Sequence, residues 1–297
     1  MTLRDYLRGK EVIYLDGAMG TQLEALGLEM GGQNCLNHPE EVQRIHERYK
    51  AAGSMVLTTN TLTMNGVFIQ SHDLRIDVRR VNLAGARLAR EAAGDRMPVL
   101  GNLSSTGQLL EPYGTRTEQE LGLAFREQAQ ALAEGGVDGF LIETMFDLRE
   151  ALCALRAVKE TSVLPVMVSL AFATAEKGGR TVMGDTAKDS ARRLEQEGAD
   201  VVGGNCGDLD PSDLARVIAE FREATSVPLL AQPNAGQPKL VDGRTVFNQT
   251  PSQFAEGLAK CLENGARFLG GCCGTTPEHI AALGNAGKIR ETMTKGG

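Results

Sequence analysis

The sequence predicts an α/β barrel, because short apolar or β-branched runs alternate with helical patterns eight times along the chain. The runs span residues 12–15, 55–59, 98–102, 139–143, 165–169, 200–204, 228–231 and 267–270. Alternation of strand and helix indicates a parallel sheet, and a count of eight favours a closed (β/α)8 TIM barrel over an open sheet. No linker divides the 297 residues, so residues 1–297 are predicted to form a single barrel domain.

Helix signals fill the intervals between these runs. Thr117 and Glu120 have the spacing of a capping box, which predicts a helix that extends through residue 133. Further helix starts are predicted at Asp147, Pro211 and Pro251. The wide intervals after the first and second runs predict longer loops or extra helical turns near residues 25–40 and 62–95.

The composition narrows the class of partner. The formal net charge is −7 and no block of lysines or arginines occurs, so the basic footprint of a nucleic-acid-binding protein is missing. No stretch approaches the ~20 apolar residues of a membrane span, and the polar N-terminus lacks the apolar core of a signal peptide. The sequence therefore predicts a cytoplasmic protein that binds small molecules or proteins. In that reducing compartment its six cysteines are expected to be metal ligands, nucleophiles or core residues.

Chemically useful side chains occur where the predicted strands end, which is where barrels place their sites. Asp16, Gly17 and Ala18 follow the first run, Asn60 the second, Cys206 the sixth and Asn234 the seventh, while Glu143 ends the fourth and Cys272 with Cys273 follows the eighth. Three thiols that are far apart in the sequence are therefore expected to converge at the mouth of the barrel.

These three thiols, Cys206, Cys272 and Cys273, are predicted to bind a zinc ion. Adjacent cysteines do not easily form a disulfide with each other, and the flanking glycines let the backbone approach a shared ion. Zinc favours tetrahedral thiolate coordination, and three protein ligands leave one position open for a substrate, as in catalytic sites. The alternative interpretation is three buried apolar residues, since free cysteine is among the most buried residue types.

The other cysteines and the histidines are given structural interpretations. Cys153 and Cys261 lie inside predicted helices and are expected to pack in the core, whereas the role of Cys35 stays open. Four histidines lie away from the strand ends and are predicted to be solvated or on helix surfaces: His38, His46, His72 and His279.

Two carboxylates lie at predicted strand ends. Glu143 ends an apolar strand, where a buried carboxylate requires a partner, either a neighbouring arginine or the ammonium group of a substrate. Asp16 lies in a glycine-rich turn, where it either bonds its own backbone or belongs to a loop whose N–H groups face a substrate carboxylate. The loop has neither of the common nucleotide-binding fingerprints, so a dinucleotide site is not predicted.

An ordered series of motifs resembles the homocysteine S-methyltransferase family along nearly the whole chain. The motifs lie at residues 15–21, 59–61, 142–144, 204–207, 233–236 and 271–279. The Asn-Cys-Gly, Pro-Asn-Ala-Gly and Gly-Arg-Thr forms are most similar to the homocysteine-binding module of cobalamin-dependent methionine synthases. Two positions depart from the pattern of the family, which has glutamate and phenylalanine where this chain has Thr58 and Leu62. These departures bear on the fit of the thiol acceptor.

The resemblance implies a (β/α)8 barrel and a role for each motif. Zinc would be bound by Cys206, Cys272 and Cys273. Glu143 and the loop formed by Asp16, Gly17 and Ala18 would receive the amino acid end of homocysteine. Thr59 and Asn60 would line the same pocket, and Asn234 would approach zinc when no thiol is bound.

The implied activity is an enzymatic methylation of homocysteine that yields methionine. Zinc would deprotonate the thiol, whose pKa is about 8.5 when free. Methionine synthases continue into further modules, whereas this chain ends at Gly297, so the expected donor is methylcobalamin on a separate corrinoid protein. The alternative donors are S-methylmethionine and S-adenosylmethionine, and the alternative acceptor is a different thiol. A non-catalytic thiol-binding module of a larger methyltransferase assembly and a barrel with structural zinc are the other hypotheses.

Overall fold

The computed structural model describes residues 1–241 and 244–284, and it places a strand that overlaps each of the eight predicted runs. In chain order the strands are Ile13–Tyr14 (β1), Leu57–Thr58 (β2), Val99–Leu103 (β3), Gly139–Met145 (β4), Val166–Leu170 (β5), Val201–Asn205 (β6), Leu229–Gln232 (β7), Lys239–Val241 (β8), Arg244–Val246 (β9) and Ala266–Leu269 (β10). Residues 285–297 of the predicted domain lie outside the described residues.

The strands that match the predicted runs form one parallel sheet, in the order β1-β10-β7-β6-β5-β4-β3-β2. Its two edges also meet. Leu15 and Val56 form a parallel bridge, and the Met55 N–H donates to the Tyr14 carbonyl at 2.7 Å. The sheet therefore closes on itself, which confirms the predicted (β/α)8 barrel.

The helices surround this sheet, and the four for which the sequence predicts a start begin at or next to the predicted residue. They are Leu3–Arg8 (α1), Gly20–Ala25 (α2), Asn34–Asn37 (α3), Pro39–Ala51 (α4), Gly66–Ser71 (α5), Val78–Ala93 (α6), Glu118–Glu134 (α7), Leu148–Thr161 (α8), Ala187–Gln196 (α9), Pro211–Ala224 (α10) and Pro251–Glu263 (α11), with a short 3-10 helix at Glu176–Gly178. Thr117 and Glu120 form both halves of the predicted capping box of α7, and Asp147 caps α8. In the described part of the chain, no helix is both long and apolar enough to span a membrane.

Two apolar layers hold the barrel together. The inner layer fills the barrel with side chains from successive strands: Ile13, Leu15, Val56, Leu100, Leu141, Met167, Val201, Leu230 and Phe268. Helix α1 packs Leu3 and Tyr6 against this layer, and the Arg267 guanidinium donates to the Tyr6 and Leu7 carbonyls at 2.8 and 2.9 Å. The outer layer lies between the strands and the other helices. Because α1 closes the N-terminal end of the barrel, the C-terminal end is the one available for a site.

The hairpin formed by β8 and β9 is not predicted by the sequence. Its strands are short, and Leu240 and Val241 are exposed, so the segment lacks the alternation of a half-buried strand. Phe247 follows the hairpin and packs against Gly274, where an added Cβ would lie 2.4 Å from the Phe247 side chain. The base of the hairpin therefore contacts the loop that follows β10.

Two of the histidine predictions are wrong, because His46 and His279 are buried. His46 lies on the buried face of α4, one helical turn from Val42, and burial lowers its pKa to about 4. The ring of His279 bonds to the Thr276 hydroxyl and the Gln249 carbonyl, each at 3.0 Å. The four-residue spacing from Val42 is the signal that indicates burial of His46. His38 and His72 are exposed, as predicted.

The packing of β6 against β7 yields a stability prediction. A Cβ added at Gly203 would lie 2.1 Å from the Leu230 carbonyl, so Gly203→Ala should lower stability by about 1–3 kcal/mol, the usual cost of overpacking. Gly122→Ala is the matched control, because its Cβ would meet nothing closer than 3.7 Å inside α7. The control should gain about 0.5–1 kcal/mol from the higher helix propensity of alanine. Thermal unfolding of both variants tests this, and an unchanged melting temperature for Gly203→Ala would contradict it.

Candidate active site

A cavity of about 260 Å3 opens at the C-terminal end of the barrel. It is lined by side chains and backbone from the ends of β1, β2, β3, β4, β7 and β10. Eight of the site residues predicted from the sequence line this cavity: Asp16, Gly17, Ala18, Thr59, Asn60, Glu143, Cys272 and Cys273. Lysine, arginine and histidine are missing from this lining, as far as the described residues go. The pocket therefore presents two carboxylates and two thiols without a cationic side chain.

Cys206 completes a cluster of three sulfur atoms at the wall of this pocket. All three sulfurs lie within 4.8 Å of one another, and Cys273 Sγ is 4.0 Å from the sulfurs of both Cys206 and Cys272. In a tetrahedral zinc site with Zn–S bonds of about 2.3 Å, the sulfurs are roughly 3.8 Å apart. The cluster is therefore close to the spacing that one metal ion requires.

The backbone at the cluster is bent in an unusual way. Cys206 follows β6 with φ of 53°, and Thr144 at the end of β4 has φ of 59°, both in the left-handed region that non-glycine residues seldom adopt. This bend lets the Cys206 side chain face the pair that follows β10. Strained backbone of this kind occurs preferentially at functional sites.

The three thiols hold one negative charge well even without a metal. Hydrogen bonds from Cys272 and Cys273 lower the pKa of Cys206 to about 3. The same arrangement raises the pKa of Cys273 to about 12 and that of Cys272 well above its usual value, because Cys206 is nearby and both are buried. One thiolate stabilised by two neutral thiols is therefore the favoured state, and further deprotonation needs an added cation.

Asn234 lies beside this cluster with one atom free. Its Nδ2 donates to the Gly207 carbonyl at 2.9 Å, while its Oδ1 is buried and has no hydrogen-bond partner in the described part of the chain. A hydrogen bond between Asn234 and Cys206 also helps to lower the pKa of that thiol. The hydrogen bond to Cys206 turns the Nδ2 group of Asn234 toward the sulfurs, so its free Oδ1 would have to rotate toward them to become an additional metal ligand.

Glu143 is held by two amides. Its carboxylate accepts from Asn102 Nδ2 at 2.7 Å and from Asn205 Nδ2 at 3.3 Å. Burial raises its pKa to about 7, and the nearby Asp16 and Cys206 act in the same direction. In residues 1–241 and 244–284 it forms no ion pair, so the arginine partner considered from the sequence is not found there.

Asn205 and Asn102 are site residues that the sequence interpretation missed. Asn205 Nδ2 reaches Glu143, the Thr144 hydroxyl at 2.7 Å and Cys272 Sγ at 3.7 Å. Its Oδ1 accepts from the Thr144 N–H at 2.8 Å and from the Ser169 hydroxyl at 2.7 Å. The available signal was position, because both asparagines are amides at the end of otherwise apolar strands.

The loop after β1 is fixed by its own hydrogen bonds. The Asp16 carboxylate accepts from the Thr58 N–H at 2.8 Å and from the Thr58 hydroxyl at 2.9 Å, and burial raises its pKa to about 7. The Ala18 N–H donates to Thr275 Oγ1 at 3.0 Å, so this N–H is not free to face a ligand. A Cβ at Gly17 would lie 2.6 Å from Thr275 Oγ1. Asp16 thus bonds across to β2 as well as to its own backbone N–H.

The strand end at β2 forms another part of the pocket wall. The Thr59 hydroxyl accepts from the Asn102 N–H at 2.9 Å, so Thr59 contributes to the pocket mainly by shape. Asn60 Nδ2 donates to the Gly31 carbonyl at 3.2 Å. The Cys35 thiol donates to the Asn60 carbonyl at 3.2 Å and is buried behind this wall, with its pKa raised to about 12 by burial. Cys35 therefore supports the pocket without lining it.

The chain is similar to known proteins in both sequence and fold. The sequence profile of the homocysteine S-methyltransferase family matches residues 13–286. A methionine synthase of Mycobacterium leprae (strain TN) is 30% identical over 298 residues, covering 93% of this chain, and the chain spans only 24% of the length of that relative.

Solved structures agree on the fold. The metallated form of the homocysteine methyltransferase MmuM from Escherichia coli superposes with a TM-score of 0.77 at 22% identity, covering 95% of this chain and 98% of that one. Its apo form gives a TM-score of 0.73 at 23% identity, covering 96% of this chain and 99% of that one. At such identities the likeness shows the fold, whereas the sequence match shows the family. The chain belongs to the homocysteine S-methyltransferase family, whose members are methyltransferase enzymes.

Proposed function

We propose that this chain transfers a methyl group to the thiol of homocysteine and so forms methionine. The proposal rests on one arrangement: three sulfur atoms converge at the wall of a pocket. Among the described residues, the charged side chains that line this pocket are carboxylates. Such a pocket suits a ligand with a thiol at one end and an ammonium group at the other. Family membership and the similarity to a methionine synthase support the same reaction.

We infer that the metal is zinc, held by Cys206, Cys272 and Cys273, with Asn234 Oδ1 as the ligand when no thiol is present. Three thiolates are the donor set that zinc favours, and they leave a position open for the substrate sulfur. When bound, zinc would convert the incoming thiol into a thiolate at neutral pH. The contact of Asn234 with Cys206 supports its part in this set, because a rotation of the amide would bring its unpartnered Oδ1 to the metal.

The residues of the chain then orient the acceptor. Asn205 Nδ2 lies 3.3 Å from the Glu143 carboxylate and 3.7 Å from Cys272 Sγ, so one amide links the two ends of the site. With its ammonium on Glu143 and its sulfur at the cysteines, homocysteine would be bound at both ends. The Asp16–Ala18 loop, Thr59 and Asn60 would enclose the carbon chain between them. Fixing the sulfur in this way makes attack on a methyl group nearly intramolecular.

We propose a methylated corrinoid protein as the donor. The Asn-Cys-Gly and Pro-Asn-Ala-Gly motifs and the 30% identity to a methionine synthase support this choice. The substrate sulfur would form a bond to the methyl carbon, and the bond from that carbon to the donor would break with its electrons leaving on the donor. S-Methylmethionine is the alternative, because it offers an equivalent methyl group to the same sulfur.

Removal of one thiol tests the metal site. Cys272→Ala should bind far less zinc and lose methyl transfer, because two thiolates remain where three are needed. Cys261→Ala is the matched control: its thiol is fully buried in α11 and should leave the zinc content unchanged at a modest stability cost. Elemental analysis after zinc loading and gel filtration measures the zinc content of both variants. Full zinc content in Cys272→Ala would rule out this ligand set.

Replacement of Glu143 tests recognition of the amino group. Glu143→Gln should weaken homocysteine binding by roughly 1.5–3 kcal/mol, the range for hydrogen bonds to charged groups, while zinc is retained. Glu150→Gln is the control, since Glu150 is a buried carboxylate bound to Ser105 and Thr106 away from the pocket. Titration calorimetry of the zinc-loaded proteins measures the loss. Equal affinity of the native protein for 4-mercaptobutanoate, which lacks the amine, would exclude this role.

The two ligands, homocysteine and 4-mercaptobutanoate, also allow a test by pH. Glu143 has a raised pKa of about 7, so its charge is lost as the pH falls below that value. The preference for homocysteine over 4-mercaptobutanoate should therefore shrink below pH 7 in the native protein and stay flat in Glu143→Gln. Both ligands carry the same thiol, so the ratio of their affinities cancels the titration of sulfur.

The donor is tested by supplying each candidate to the zinc-loaded chain with homocysteine and measuring methionine. Free methylcobalamin should react slowly and without clear saturation, and a methylated corrinoid protein should react faster. Cys272→Ala serves as the control for uncatalysed transfer. Rapid, saturable use of S-methylmethionine without demethylation of methylcobalamin would replace the corrinoid by that donor. No turnover with any donor would favour a non-catalytic thiol-binding module.

A further inference from the structure

The side chain of Thr275 joins the loop after β10 to the loop after β1. Thr275 is fully buried, and its hydroxyl accepts from the Ala18 N–H at 3.0 Å and donates to the Cys272 carbonyl at 2.7 Å. An N–H only donates and a carbonyl oxygen only accepts, so the direction of both hydrogen bonds is determined. Thr275 therefore bridges a residue that lines the pocket and one of the three clustered cysteines.

Both loops have glycine where they approach this hydroxyl. A Cβ added at Gly17 would lie 2.6 Å from Thr275 Oγ1, and a Cβ added at Gly271 would lie 2.5 Å from the same atom. Cβ atoms do not approach other atoms so closely, so the hydroxyl could not keep its place beside a larger residue at either position. The sequence of each loop thus leaves room for the bridge.

Tyr49 of α4 contacts the same two loops. Its hydroxyl donates to the Ala18 carbonyl at 2.7 Å and lies 3.2 Å from the Thr275 carbonyl. At the strand ends the Gly271 N–H donates to the Asp16 carbonyl at 3.1 Å. Beyond that backbone bond, side chains join the two loops in the described part of the chain. The relative position of the loops therefore depends on buried hydroxyl groups.

We propose that Thr275 is a positioning residue that holds the two ends of the acceptor site at a fixed separation. The inference rests on the proposed function, in which the thiol lies at Cys272 and Cys273 and the Asp16–Ala18 loop encloses the rest of the acceptor. When the two ends are fixed relative to each other, a ligand that reaches both gains affinity, because binding at one end places it correctly at the other. Loss of the hydroxyl would let the loops move relative to each other while each end stays intact.

Homocysteine and its two halves test this proposal on the zinc-loaded chain. Propanethiol carries the thiol without the amino acid group, and 2-aminobutanoate carries the amino acid group without the thiol. Thr275→Val removes the hydroxyl, so it should lower the affinity for homocysteine roughly tenfold and change the affinity for each half by about twofold at most. Thr275→Ser keeps the hydroxyl and should bind homocysteine as the native protein does. Titration calorimetry measures homocysteine binding, and displacement of homocysteine measures the weaker halves.

Thr225→Val is the matched control. The Thr225 hydroxyl is also buried, but it donates to Glu195 at the end of α10, away from the pocket. The control should keep all three affinities. If Thr275→Val weakens the binding of either half as much as that of homocysteine, the hydroxyl serves the structure of one loop alone and the proposal is overturned. Should the valine variant not fold, Tyr49→Phe removes the other hydroxyl between the loops and should show the same selective loss.

The proposed function and this inference would fail in different ways. A native protein that binds homocysteine no more tightly than 2-aminobutanoate overturns the proposed acceptor, and this inference with it. A native preference for homocysteine that Thr275→Val leaves intact overturns this inference alone.

Discussion

The geometry of the site depends on the side chain of Asn205, which holds four strand ends in one arrangement. It bonds to Glu143 and Thr144 in β4, to Ser169 in β5 and toward Cys272 after β10, and it is itself the last residue of β6. These contacts fix the left-handed turn at Thr144, and the residue that follows Asn205 is Cys206, which makes the second such turn. A side chain with donors and an acceptor at one carbon is needed, so aspartate or leucine could not replace it.

Charge explains why the pocket is built in this way. Asp16 and Glu143 are buried without an ion-pair partner in the described part of the chain, and burial is the main cause that raises both pKa values to about 7. The thiols share one negative charge nearby. Bringing a metal cation to the sulfurs and an ammonium to Glu143 would lower these pKa values and stabilise the charged forms. The ligand-free fold thus carries an electrostatic cost that these proposed ligands would offset, a common compromise between stability and function.

Prediction from the sequence succeeded for elements that neighbouring residues specify. It failed for hydrogen bonds between residues that are far apart in the sequence. The strands and the helix caps of α7 and α8 are specified by residues within a few positions, and the convergence of Cys206 with Cys272 follows from barrel topology. The pairing of Asp16 with Thr58 and of Ala18 with Thr275 joins residues 42 and 257 positions apart, which no local pattern reveals. The contacts of Asn102 and Asn205 are likewise made across strands. The hairpin of β8 and β9 is exposed, so its sequence lacks the alternation of buried and exposed residues by which strands are predicted.

The proposed acceptor and the proposed donor would be recognised by different parts of the barrel. The groups proposed to hold homocysteine are at the strand ends, where the backbone is fixed by neighbouring strands and by buried amides. Several exposed apolar side chains lie instead on the loops that surround the mouth: Met30, Leu109, Tyr113, Val182 and Leu240. Activation of the thiol at the sulfurs requires nothing from the donor, so the loops can differ in length and composition while the strand ends stay the same. In a barrel arranged this way, the loops would decide between a protein-bound methyl group and a small sulfonium, and the proposed chemistry at the sulfur would be common to both.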